Sequence, residues 1–170
     1  MTRSRIAAVS ALLACLAIVA SASAASFRTV VVKQAGLRFQ VPAGWAPVVL
    51  KKPAVFFIRN DAELGAIRSN INIVVVPLPH AITLEQYRTA LLAELKGAKL
   101  KHVTAKLRHL TAGEVVRTSY SATVGSVKVQ GMQVCFLRGR KSIVITYSRA
   151  VAKRKVAVLF AHSIDSIRFR

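Results

Sequence analysis

Between Asn70 and Leu95 the hydrophobic pattern changes from a period of two to a period near 3.6. Ile71, Ile73 and Val75 alternate with Asn70, Asn72, Val74 and Val76. That alternation, rich in β-branched residues, predicts a strand largely buried on both faces. Pro77 and Pro79 cannot continue a central ladder and should end it. Leu84, Tyr87, Leu91, Leu92 and Leu95 then form one apolar helical stripe. Thr83 and Gln86 have capping-box spacing at its start, and Gly97 should end it. Burying those five side chains contributes roughly 8–15 kcal/mol before entropy is subtracted, so the helix must lie on a sheet.

The flanking chain supplies that sheet. Phe27–Lys33 and Leu37–Val41 read as a hairpin around Ala35–Gly36, and Pro42–Ala43–Gly44 turns the chain into Trp45 and a short extended run, Val48–Leu50. Ala54–Arg59, Lys101–Leu110, Glu114–Thr123, Val127–Arg138 and Ser142–Ser148 read as further strands, with Gly131 expected to mark a bulge. Asn60–Gly65 reads as a loop. In the last element, about Ala152 to Ser166, Val156, Leu159, Phe160 and Ile164 share a helical face. Strands interrupted by one helix and closed by another predict an α+β domain, a central antiparallel β-sheet with helices packed on it.

The first residues belong to a different class. Arg3 and Arg5 precede the apolar run Ile6–Ala20, and Ala22–Ser23–Ala24 offers small residues for cleavage. Residues 1–24 thus read as a secretory signal peptide, with a retained anchor and lipidation at Cys15 as competing readings. Arg3 and Arg5 are not adjacent, so no twin-arginine signal is present. Residues 25–170 then form a single domain of 146 residues. Of 26 Lys and Arg only Arg3 and Arg5 are lost, leaving 24 against six acidic residues, a formal +18. Such a charge favours an anionic partner: a membrane surface, an envelope polymer or an acidic protein complex. Cys135 is the only cysteine after the leader, so no internal disulfide can form, and its apolar neighbours make it a core residue.

The order of motifs resembles the PsbP-like family. Gly36–Leu37–Arg38–Phe39–Gln40–Val41–Pro42–Ala43–Gly44–Trp45 opens the pattern and Asn70–Ile71–Asn72–Ile73–Val74–Val75 continues it. Tyr120, Ile143–Val144–Ile145–Thr146–Tyr147 and Phe160–Ala161–His162–Ser163–Ile164–Asp165–Ser166–Ile167–Arg168–Phe169 complete it. The resemblance implies an α/β/α sandwich and a non-enzymatic accessory or docking protein. The matched positions are packing and turn residues, so it transfers no metal-binding or partner-binding residue.

Candidate chemistry is sparse. Gly125–Ser126–Val127 lacks the spacing of a nucleophile elbow. Asp61 and Glu63 fall in a loop, and Glu85 and Glu94 on an exposed helix face. His80, His102, His109 and His162 are scattered, and no phosphate-binding glycine loop occurs. His102 and His109, seven apart, should point to opposite faces of an uninterrupted strand. No catalytic residue, metal site or cofactor is expected.

What stands out is positive charge. Arg138, Arg140 and Lys141 surround a hairpin turn, while Lys153, Arg154 and Lys155 open the last helix, where cations oppose the helix dipole. These six residues form the candidate docking surface of an exported protein of the periplasm, cell envelope or extracellular space, or of the thylakoid lumen only if the source is photosynthetic. The alternative is a small-molecule or lipid carrier, or an enzyme, with a pocket between sheet and helix near Trp45 and Tyr87. Nucleic acid is disfavoured, because aromatic residues do not interleave with the basic runs.

Overall fold

The computed structural model describes residues 26–49, 54–59, 67–98 and 100–170. The leader, Asp61 and Glu63 lie outside the described residues. The strands are β1 (Phe27–Val32), β2 (Leu37–Pro42), β3 (Trp45–Val49), β4 (Ala54–Arg59), β5 (Asn70–Pro77), β6 (Lys101–Leu110), β7 (Gly113–Val124), β8 (Val127–Arg138), β9 (Lys141–Ala150) and β10 (Arg168–Phe169). Helix α1 is Leu84–Gly97 and α2 is Arg154–Asp165.

Seven strands form one antiparallel sheet in the order β3-β4-β5-β9-β8-β7-β6. Adjacent hairpins build most of it, and β5 joins β9 directly, Ile73 opposite Ile145. A separate sheet, β1-β2-β10, was not expected. It forms because Arg168 and Phe169 return antiparallel to Arg38 and Leu37, a two-residue strand too short to leave a periodic signature.

The two faces of the large sheet are unequally covered. On one, Ile71, Ile73, Val134, Phe136, Ile143, Ile145 and Tyr147 pack with Leu37, Phe39 and Val41 of the small sheet and Val156, Phe160 and Ile164 of α2. On the other, Leu91 and Leu95 of α1 bury Val116 and Cys135. Helix α1 lies over β6 and β7. That position corrects the expectation for β5: Ile71 and Ile73 are buried, but Asn70, Asn72 and Val74 are only half-buried and Val76 is exposed.

Thr83 caps α1 as its spacing predicts, its hydroxyl accepting from the Gln86 amide while the Gln86 side chain accepts from the Thr83 N–H. The helix runs through Gly97 and ends at Ala98, one residue later than expected. Gly131 is not a bulge, since β8 keeps an unbroken register with β7 and β9 through it. Its role is space: a Cβ there would lie 2.3 Å from the Tyr120 ring, which fills the position. The bulge is instead in β6, between Lys101 and Thr104, where His102 has φ 52°. The strand is therefore interrupted, and the parity expected of His102 and His109 does not apply.

Candidate docking surface

The two basic clusters sit at opposite ends of β9. Arg138 and Lys141 are register partners across the β8–β9 turn, where Gly139 takes the left-handed φ of 57° that a tight hairpin favours. Lys153–Lys155 follow the far end of the same strand. Ten residues of strand separate the ends by roughly 30 Å. The structure does not join the six residues into one patch.

Arg138 and Arg140 of the first cluster are used internally. The Arg138 guanidinium carbon stands 4.0 Å from the centroid of the Phe169 ring. Arg140 donates from Nη2 to the Pro79 carbonyl oxygen, and its own carbonyl accepts from the Leu78 N–H at 2.9 Å. These contacts tie the β8–β9 turn to β10 and to the segment between β5 and α1.

Among the described residues, the side chains of the second cluster have no such engagement. Lys153 occupies the N-cap position of α2 without a side-chain cap, and no acidic residue stands in the first turn. Three cations thus gather at the positive pole of the helix, an arrangement disfavoured in isolation. The Val151 N–H bonds the Lys128 carbonyl at 2.9 Å, which brings the β7–β8 hairpin end alongside. Val151 is 42% exposed and Val124, at that hairpin's tip, 52%. Lys128 is exposed as well. This end therefore presents apolar tips within a group of cations.

Trp45 and Tyr87 do not share a pocket. Trp45 is buried on the α2 side, its ring 5.9 Å from that of Phe160. Tyr87 packs on the α1 side, where its hydroxyl accepts from Ser142 Oγ at 2.8 Å. The sheet lies between them, because one residue comes from β3 and the other from the helix on the opposite face.

Burial pushes the Cys135 thiol up to about 12, partly countered by the Tyr87 hydroxyl. It is buried with Leu91, Leu95 and Val116 and packs the α1 side of the sheet. Burial likewise raises Tyr87 to about 12, reinforced by the nearby Cys135. His162 stacks on Phe27 with ring centroids 3.8 Å apart and bonds Gln40, so it joins α2 to the small sheet. Among the described residues, no three His, Cys, Asp or Glu side chains converge as metal ligands would. Nor is any described helix long and apolar enough to cross a membrane.

A central antiparallel sheet with α1 on one face and α2 beside a small sheet on the other is the PsbP-like fold. The chain is similar to cyanobacterial PsbP (CyanoP) from Synechocystis, with 18% identity, a TM-score of 0.61, and coverage of 88% of this chain and 96% of that one. LpqN from Mycobacterium tuberculosis, described as involved in cell envelope biogenesis, has 11% identity and a TM-score of 0.61 over 84% of this chain and 90% of its own. A point mutant of the protein Mog1 has 8% identity and a TM-score of 0.61, over 85% and 96%. No family model and no curated protein matches the chain.

Proposed function

We propose that this is an exported, non-catalytic PsbP-like accessory protein that docks electrostatically on an anionic membrane surface through the Lys153–Lys155 end. The observation that carries this reading is the pairing of unengaged cations with exposed apolar tips, Lys128, Lys153, Arg154 and Lys155 beside Val124 and Val151. Each basic residue near an anionic leaflet contributes about 1 kcal/mol, and small apolar groups at the contact add to it. An envelope polymer would attract the same charge but offers no apolar phase for the valines, and an acidic protein complex, which would cover both, is an outcome the vesicle experiments separate from lipid. Export is supported by the signal-peptide pattern of residues 1–24 and by the envelope role stated for LpqN.

Fractionation of source cells tests both parts. The expected result is a protein in the membrane pellet, released by rising salt as screening shortens the reach of its charges, with an intact mass starting near Ala25. A freely soluble protein of that mass would contradict docking, and a mass that retains residues 1–24 would contradict cleavage. Release only when wall polymer is digested would move the partner from lipid to polymer.

A further inference from the structure

Above the middle of the large sheet, on the α2 side, lies an open cavity of about 290 Å³ that neither basic cluster touches. Its floor is built by register. Arg117 and Ser119 of β7, Gln130 and Met132 of β8, and Tyr147 and Arg149 of β9 project on one face, because Ser119 pairs with Met132, Met132 with Tyr147, and Gln130 with Arg149. Its wall is α2, which presents Ala157, Phe160 and Ala161. The two alanines, one turn apart, leave the space that larger side chains would fill.

Two guanidiniums flank this cavity from strands about 10 Å apart. Arg149 is held by three acceptors, the Ala150 and Val151 carbonyls at 3.2 and 2.9 Å and Gln130 Oε1 at 2.6 Å. Three acceptors leave two of its five N–H groups unused. Arg117 spends its Nε–H on Met132 Sδ, a weak acceptor, at 3.2 Å. Lys106 stands directly across from Arg117, and Arg108, two residues along, lines the adjoining depression with both. Like charges opposed on a sheet are destabilising, and no carboxylate lines either hollow. The inner end is apolar, formed by Met132, Phe160 and the fully buried Tyr147.

We propose that this cavity binds a phosphate group, seated between Arg117 and Arg149, with the attached organic part against Met132, Ala157 and Phe160. Paired guanidiniums match the oxygen geometry of phosphate, and an excess of cations over carboxylates favours a dianion over a lone carboxylate. The site relocates the sheet–helix pocket from Trp45 and Tyr87 to the β7–β9 surface, and it does not depend on docking at the Lys153 end.

The test titrates the exported chain with glycerol 3-phosphate, and separately with vesicles containing phosphatidic acid. Site occupancy is read from amide chemical shifts at Ser119, Gln130 and Met132. Arg117→Gln and Arg149→Gln should each weaken binding about tenfold. Ala161→Leu, which fills the cavity without removing charge, should abolish binding at an unchanged melting temperature; Lys33→Gln, remote from the cavity, should change it less than twofold. Saturation by glycerol 3-phosphate would assign the site to a soluble phosphate ester. Binding of vesicles alone, lost on the same substitutions, would assign it to a lipid headgroup. No saturable binding of either probe, equal weakening by Lys33→Gln, or undiminished binding by Ala161→Leu would overturn the proposal.

Discussion

The two ends of β9 carry the same charge and differ in what that charge touches. At the β8–β9 turn, Arg138 lies over Phe169 and Arg140 bonds the Pro79 carbonyl, so the cations close the fold. At the start of α2, Lys153, Arg154 and Lys155 face the positive pole of a helix with no side-chain cap and no acidic residue in its first turn. Basic residues in a run are therefore not equivalent. At these two ends of β9, Arg138 and Arg140 have an internal aromatic face or acceptor and hold elements together, whereas the Lys153–Lys155 side chains have no such contact among the described residues.

The sharpest way to break this contrast is Lys153→Asp. An aspartate at that position would cap α2 and complement its dipole, raising stability by about 1 kcal/mol, measurable by thermal or urea melting. The same change reverses one charge at the proposed contact, and should weaken attachment to anionic vesicles by about thirtyfold. A protein that becomes more stable while losing attachment would show that local stability and docking compete at that position. Removing the apolar tips has a smaller effect. Val124→Ser and Val151→Ser should each weaken attachment about threefold with stability nearly unchanged, as both side chains are half exposed already. Arg138→Ala and Arg140→Ala should do the converse, each costing roughly 0.5–1 kcal/mol of stability with attachment held within about twofold.

Two controls lie between the ends. The Tyr147 hydroxyl is fully buried and has no hydrogen-bond partner among the described residues. Tyr147→Phe should accordingly be neutral, or stabilise by up to about 1 kcal/mol, in a denaturant melt. The pH dependence is also determined by buried groups. Because folding raises the Cys135 pKa from 9.0 to about 12, the protonated thiol favours the folded state. That stabilisation is complete below about pH 9 and is lost as pH rises from there toward 12. Cys135→Ala should remove the part of the alkaline limb that begins near pH 9 and leave the part above about pH 10 that Tyr87 contributes, whereas changes at either end of β9 should leave the limb's shape alone.

Much of the fold was legible because local chemistry and tertiary packing agree. The capping box at Thr83 and Gln86, the alternation in β5 and the apolar stripes of both helices each point to one structure. The failures have physical causes. β10 is two residues long, so its pairing with β2 is decided by where α2 delivers the chain. Gly131 looks like a bulge in one dimension, and only the opposing Tyr120 ring shows why a side chain is excluded. The candidate site divides the same way. Runs such as Arg138–Lys141 and Lys153–Lys155 are visible as runs, but not that one is engaged and the other free. Arg117 and Arg149 were missed because neither belongs to a basic run: Arg117 opens the polar stretch Arg117–Thr118–Ser119 and Arg149 follows Ser148, each reading as a solvated strand position. Strand register alone brings them to the same cavity, and the small pair Ala157 and Ala161 was the one signal that space had been left there.

The most direct measurement is co-sedimentation of residues 25–170 with phosphatidylglycerol vesicles and neutral phosphatidylcholine vesicles, comparing two triple variants. In one, Lys153, Arg154 and Lys155 become Gln; in the other, Arg138, Arg140 and Lys141 do. The wild type should bind only the anionic vesicles and leave them as salt rises. The first variant should lose about a hundredfold in affinity at unchanged stability, and the second should melt lower and lose far less than tenfold. Equal loss from the two variants would mean that net charge alone drives attachment, and the account of a directed docking end would be wrong.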